Sequence, residues 1–344
     1  MKIFLTGATG YIGGEVLHTL AHAFPGNTQI SALVRDQTKA QQVQEKYPKV
    51  QTILGDLDNA TLVTSEAEGS DIVLHLAATG HVPSIEAIAQ GLYNRYEKTK
   101  SPGYWVQISG ATCFASEEIA SGKFGFPTDV TYDDVKDQSR ILSTLRNNSQ
   151  RVVENTVLAQ DSSKVKTALL IGPLIYGPGR GPVNQRSVQA PEIARVTLNL
   201  GHGFKLNDGE NIWSNVHVQD LSAFVSILVA AASNGKDGIW NDDGVYNIEN
   251  GELTFKNLSE LITNEALSQG HAKNNKLTTI DASEADALSS HASILWGTNA
   301  RTRASKARQA LGWKPSAQSL AGTIPELVRA EAKNLKEGSE RAEL

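Results

Sequence analysis

The chain has 344 residues, 40% of them hydrophobic, one cysteine and a formal net charge of −5. That length exceeds what one compact core usually holds, so a main domain with a second lobe is expected, and the scattered Lys and Arg leave no basic footprint for nucleic acid. The lone Cys113 excludes an intrachain disulfide and a cysteine-clustered metal site, and no segment reaches membrane-spanning length without charge; a cytoplasmic protein with neither metal nor membrane partner is expected.

Short runs rich in Val, Ile and Leu at Lys2–Thr6, Ile30–Val34, Val50–Leu54, Ile72–Ala77, Trp105–Ile108 and Thr167–Ile171 read as buried parallel strands. Helical period fills the gaps at Tyr11–Phe24, Thr38–Tyr47, Ala60–Ala67 and Ile85–Tyr96, with a less regular helical region before Thr167. In the first helix Ile12, Val16, Leu20 and Phe24 recur every four residues and make one apolar stripe. This alternation predicts an α/β fold with a doubly wound parallel sheet and right-handed crossovers. The N-terminal apolar run is only a strand long, without the central apolar block of a signal peptide.

Beyond Ile171, "GPLIYGPGRGP" must form an ordered loop, and a lobe change is expected there. Pro191–Leu200 reads as a helix, Val218–Ala232 as an apolar helix returning to the sheet, and Val245–Asn250 as one more strand. Thr254–Ser268, Ser305–Leu311 and Thr323–Leu335 add helices before a charged end. The expected division is a nucleotide-binding domain at 1–172, with 216–249 returning to it, and a smaller C-terminal α/β substrate lobe at 173–215 and 250–335. Residues 336–344 are expected to fray.

The first loop, "LTGATGYIGG", places Gly7, Gly10 and Gly13 behind a strand and at the start of a helix. Glycines there permit a tight turn, a close backbone approach to a pyrophosphate and close helix–strand packing. The amides around Tyr11 and Ile12, with Thr9 beside them, then face the phosphates at the positive end of the helix dipole. In this strand–loop–helix context the G-x-x-G-x-x-G spacing points to dinucleotide binding by a Rossmann fold, with glycines in a turn that holds no ligand as the alternative. At the tip of the second strand, where an acid would hold a ribose 2′-hydroxyl, the sequence has Arg35, whose guanidinium suits a 2′-phosphate, so NADP(H) is favoured over NAD(H). Pairing of Arg35 with Asp36 is the alternative. Asp56, with Leu57, ends the third strand as an acceptor for the adenine amino group, and Leu76, Ala77 and Ala78 end the fourth, small enough for the cofactor to pass close by.

In order along roughly residues 1 to 315, "TGATGYIGG", "GDLDN", "LHLAA", "ISGA", "IGPLIYGPG", "NVHVQDL" and "LGWKPS" resemble an extended or atypical short-chain dehydrogenase/reductase of the nucleoside-diphosphate-sugar epimerase/dehydratase type. The resemblance implies that Pro173 and the loop after it shape the nicotinamide and substrate pocket. It also implies a catalytic Ser or Thr after the fifth strand, followed by Tyr-x-x-x-Lys on one helix face, where the ammonium and the cofactor stabilise a phenolate of otherwise high pKa. Ser109 matches the first member, and "YDDVK" supplies Tyr132 and Lys136. The 30 steps from Lys136 to Lys166 would make about 45 Å of continuous helix, more than twice a strand of roughly 20 Å, so a break is expected near Asn147–Ser149, with Ser149 capping a second helix. If that second helix is the family's catalytic one, with Glu154 as its downstream acid, the Tyr and Lys positions fall on Arg146 and Gln150 and the pair is absent.

His81, Arg151 and Tyr176 are further candidates to border the substrate, and His217 and Asp220 suit a helix cap and lobe docking. The favoured function is an NADP(H)-dependent oxidoreductase acting on a carbonyl or alcohol of a small organic metabolite, with a homodimer possible. A nucleotide-sugar epimerase or dehydratase, kept open by Arg180, Arg186 and Arg195 beside the Gly/Pro loop, and a sensor that binds the nucleotide without turnover are the alternatives.

Overall fold

A computed structural model describes residues 1–342 apart from Pro25 and Asn27. Strands β1 (Lys2–Thr6), β2 (Gln29–Val34), β3 (Gln51–Leu54), β4 (Ile72–His75) and β5 (Gly103–Gly110) alternate with helices α1 (Tyr11–Ala23), α2 (Gln37–Lys46), α3 (Ala60–Glu68) and α4 (Val82–Thr99). With Val165–Gly172 and Val245–Asn247 they form a seven-stranded parallel sheet in the order Val245–Asn247, Val165–Gly172, β5, β4, β1, β2, β3. The chain is thus a doubly wound Rossmann protein. Side chains alternate across a strand, so Ile3 and Leu5 pack beneath α1 with Val16, Leu17 and Leu20, while Phe4 joins Val73 and Trp105 under α3 and α4. Both faces are covered, which is why these strands read as unbroken apolar runs. Strand order reverses between β1 and β4, and ligands bind in the crevice at such a point.

The remaining chain builds smaller sheets around a second core that includes Ile193, Phe204, Trp213 and Trp296. Asp220, at the start of the helix Val218–Ser233, accepts from the amides of Ser316 (2.8 Å) and Ala317 (3.2 Å), while Trp313 Nε1 donates to its carbonyl at 3.0 Å. His217 caps that helix, accepting from Gln219 N. Among the described residues no helix is long and apolar enough to cross a membrane.

One local expectation changes, the cap of the helix before Thr167. The irregular region before Thr167 is two helices, Gln138–Arg146 and Val152–Leu158, and the second is preceded by Arg151 rather than capped by Ser149. Asn148 occupies that turn instead, its carbonyl accepting from Arg151 N and its side chain from Gln150 N. The final helix, Leu320–Ala342, continues into the charged segment expected to fray, anchored by buried Leu320, Ile324 and Val328. Glu343 and Leu344 lie outside the described residues.

Candidate functional site

The three loop glycines answer to three different constraints. Gly7 has φ +87°, and a Cβ on it would lie 2.8 Å from the Leu76 carbonyl at the end of β4; one on Gly13 would lie 2.3 Å from Gly7 O. One on Gly10 would meet only Gly7 O, at 3.2 Å, and Gly10 borders an open groove. Helical bonding begins with Gly14 N on Gly10 O (2.9 Å) and no side chain caps Gly10, so the amides of Tyr11, Ile12 and Gly13 have no acceptor within the helix. Three free donors at the positive end of the helix dipole fit a pyrophosphate. The Tyr11 side chain itself turns away, its hydroxyl donating to Gly177 O at 2.6 Å and bracing the Gly/Pro loop.

The groove, ≈ 380 Å³, runs past Gly7, Thr9 and Gly10 to Arg35, Asp56 and Leu57. Arg35 is exposed and has no ion-pair partner among the described residues, whereas Asp36, its alternative partner, caps α2 by accepting from Lys39 N at 2.8 Å. Asp56 Oδ1 accepts from the amides of Asp58 and Asn59, both at 3.1 Å, which fixes the turn after β3. His81, expected beside the substrate, instead borders this nucleotide groove. It precedes α4, accepts from Ser84 N at 3.3 Å and places Nε2 3.1 Å from Asp58 Oδ1.

Leu76, Ala77 and Ala78 form the wall shared with a second cavity of ≈ 390 Å³ at the carboxyl ends of β4 and β5. Ile12, Pro173, Ser109 and Thr112 line it together with Trp213 and Leu295 from the second lobe. Ser109 is buried, and its hydroxyl donates to Glu154 Oε1 at 2.6 Å. Arg151 touches Glu154 Oε1 with Nη1 and donates from Nη2 to Thr112 Oγ1, both at 3.4 Å. A guanidinium only donates, so Thr112 accepts from it, and its own hydrogen is committed to no acceptor among the described residues. Thr112 and Trp213 were missed in the sequence; the first sits on a short 3-10 turn after β5 and the second is far away in the chain.

Tyr132 and Lys136 do not share a helix face. Tyr132 opens a two-residue strand paired with Thr302–Arg303, and Lys136 is exposed in the turn that follows, its amide on Asp133 Oδ1. The sequence Asp133-Asp134 breaks the helix here because both carboxylates bind backbone amides. The Tyr132 ring stacks on Phe114 at 4.2 Å under the Arg140 guanidinium, and burial raises its pKa, with Arg140 opposing. Its cavity is separate, ≈ 610 Å³, bordered by Cys113, Phe114, Arg140 and Asn147. Arg146 is ion-paired with Asp242, so no Tyr–Lys pair stands on either helix. Tyr176 is also displaced from its expected place: it is buried, donates to Gln318 O at 2.9 Å and borders a third cavity, between the Gly/Pro loop and the final helix. Cys113 is buried, and burial pushes its thiol up to about 12, which makes it a packing residue.

A backbone cradle at the switch point, opening onto a cavity that the second lobe closes, defines an NAD(P)-binding Rossmann protein. Residues 7–112 match the NAD(P)H-binding family. Over 345 residues the chain is 33% identical to the oxidase ucsJ of Acremonium sp, covering 97% of this chain and 98% of that one. In fold it is similar to the PbgP3 protein of Burkholderia pseudomallei, at TM-score 0.66 and 15% identity over 96% and 97% of the two chains. It is likewise similar to DesIV of Streptomyces venezuelae, a dTDP-glucose 4,6-dehydratase with NAD and TYD bound, at TM-score 0.63 and 19% identity over 97% and 98%. The chain belongs to the family of the Acremonium oxidase and carries an NAD(P)H-binding region over residues 7–112, and it shares its fold with PbgP3 and DesIV.

Proposed function

We propose that the protein is an NADP(H)-dependent oxidoreductase that interconverts a carbonyl and an alcohol on a small organic molecule. The observation that carries this reading is the shared wall of Leu76, Ala77 and Ala78, which joins a groove ending at Arg35, without an ion-pair partner among the described residues, to a cavity ending at Ser109 and Thr112. When bound, the nicotinamide supplies or accepts the hydride. The free amides at the start of α1 hold the pyrophosphate, Asp56 faces the adenine, and Arg35 holds the 2′-phosphate that distinguishes NADP from NAD. Pro173 and Ile12 flank the inner cavity and exclude water.

Ser109 and Thr112 divide the work at the substrate oxygen. Ser109, its hydrogen directed at Glu154, offers only lone pairs and accepts from an alcohol hydroxyl. Thr112, backed by Arg151, offers its hydrogen to a carbonyl oxygen, where the nearby positive charge strengthens the bond. In alcohol oxidation the alcohol proton would pass to Ser109 Oγ as Ser109 gives its own hydrogen to Glu154, and in reduction the same relay would run back from protonated Glu154, with Thr112 and Arg151 holding the substrate oxygen in place of a Tyr–Lys pair.

Replacing Arg35 by Ala tests the cofactor assignment. The charge-assisted bonds lost to the 2′-phosphate are worth about 1.5–3 kcal/mol, at the low end for an exposed group. NADPH affinity should fall roughly tenfold or more while NADH affinity changes little, read by nucleotide fluorescence titration at fixed salt. Equal losses for both nucleotides refute the assignment.

A further inference from the structure

We infer that the substrate is a neutral, apolar carbonyl compound carrying a ring system, and that the inner cavity is built to reject nucleoside diphosphates and other anions. This rests on the oxidoreductase reading above and adds the chemistry of what is reduced.

The first observation is the fate of the three arginines beside the Gly/Pro loop that kept a diphosphate substrate open. Arg180 is ion-paired to the fully buried Glu15, donating from Nε at 2.9 Å and from its amide at 2.6 Å. Arg186 donates to Glu331 at 2.8 Å and to Glu192 at 2.7 Å, and Arg195 donates to Glu192 and to Leu288 O, both at 2.9 Å. Each guanidinium is spent on locking the Gly/Pro loop or the second lobe, and freeing one would strand a carboxylate that is largely buried.

The second observation is the wall itself. Among the described residues no charged side chain lines the inner cavity. Trp213 turns its indole N–H outward from the ligand, onto Thr298 O at 2.7 Å, and Gln189 spends one of its two amide hydrogens on Leu295 O at 2.9 Å. What remains toward the ligand is mainly the apolar surface of Trp213, Leu295, Ile175 and Ile108, with the hydroxyls of Ser109 and Thr112 at one end and two uncharged polar groups, the Thr79 hydroxyl and the rest of the Gln189 amide, on the wall. Burying an unpaired anion against such a surface is strongly unfavourable, whereas a flat apolar ring gains from an aromatic face. Size agrees. The cavity, ≈ 390 Å³, must also take the nicotinamide, and it lies near the lower end of the ~300–1,000 Å³ range of small-molecule sites.

The test compares three probes on the purified full chain. They are 2-acetylnaphthalene as the neutral ketone, 6-acetyl-2-naphthoic acid as its carboxylate analogue, and UDP-glucose. Binding to protein saturated with NADP+ is measured by calorimetry, and oxidation of NADPH is followed by absorbance. In turnover the ketone carbon takes the hydride and its oxygen a proton, so ketone, NADPH and H+ give the secondary alcohol and NADP+. The neutral ketone should bind at least tenfold more tightly than the carboxylate, and UDP-glucose should not bind. UDP-glucose or carboxylate binding as tight as the ketone's, or no ketone binding up to its solubility, overturns the inference. Ketone binding without NADPH oxidation upholds the pocket chemistry and refutes the hydride-transfer reading instead. Leu295→Arg, at a partly exposed wall position, adds the missing cation. It should move the ketone-to-carboxylate affinity ratio by about tenfold toward the carboxylate with little change in Tm. An unchanged ratio in a folded variant removes Leu295 from the ligand's surroundings and overturns the inference.

Discussion

Gly10→Ala and Gly13→Ala add the same methyl group one helical turn apart and should fail in opposite ways. At Gly10 the backbone, φ −86° and ψ 176°, is one that alanine adopts freely, and the new Cβ lies 3.2 Å from Gly7 O with nothing else within 4 Å. The folding cost is then mainly a poorer helix N-cap, less than about 1 kcal/mol, or roughly 2–4 °C in Tm at most. The methyl group does, however, stand in the groove where a pyrophosphate must approach the free amides of α1. Losing two charge-assisted bonds at about 1.5 kcal/mol each weakens nucleotide binding about a hundredfold. At Gly13 the Cβ would stand 2.3 Å from Gly7 O and 2.6 Å from Gly7 C, both backbone atoms that move only if α1 lifts away from its loop. Such overpacking costs about 1–3 kcal/mol in stability, and nucleotide affinity falls as a consequence. Thermal denaturation of the apoprotein and NADPH fluorescence titration separate the two. If Gly10→Ala binds like the wild type, or if it loses more stability than Gly13→Ala, the division of labour among the glycines is wrong.

Three further outcomes follow from the same geometry. Tyr132→Phe and Lys136→Ala should each retain ketone reduction within about threefold, whereas Thr112→Val should lower kcat at least tenfold; loss of turnover in Tyr132→Phe with retained folding would restore the Tyr–Lys pair. His75 is buried between Thr6 and Ser84, and burial pulls its pKa down to about 4, so below pH 6.5 the unfolded chain takes a proton that the native state refuses. Its contribution to stability is therefore lost as pH falls from 6.5 toward 4, by at most roughly 3 kcal/mol. Asp134, pushed up to about 6 by burial, works in the opposite sense over the same range. Urea denaturation of the wild type and His75→Asn isolates the histidine, and parallel pH profiles refute it. Cys113 should resist thiol reagents at pH 8 until the protein is unfolded, read by absorbance of the released thiolate; labelling of native protein at the rate of a free thiol contradicts the burial.

Local chemistry made the nucleotide half of this protein legible. The parallel strands are apolar throughout because both sheet faces are covered, and the glycines at 7, 10 and 13 are needed wherever backbone meets backbone or phosphate. Both are properties of a few consecutive residues, so Arg35, Asp56, Leu76, Ala77 and Ala78 could be placed around the groove from the strands they end. The catalytic half was not legible in that way. "YDDVK" has the spacing of a helical pair, yet the two aspartates bind backbone amides and the segment becomes a strand and a turn. His81 was assigned by its nearness to the fourth strand and Tyr176 as a polar residue of the Gly/Pro loop, but helix capping and a hydrogen bond to Gln318 turned them elsewhere. Whether an arginine is free for a ligand or held by a carboxylate more than a hundred residues away, as Arg180 is by Glu15, depends on where distant segments meet. Spacing in a sequence reports which side chains share an element, whereas the pairing of charges and the emptiness of a cavity are decided by long-range packing, and only the folded chain shows them.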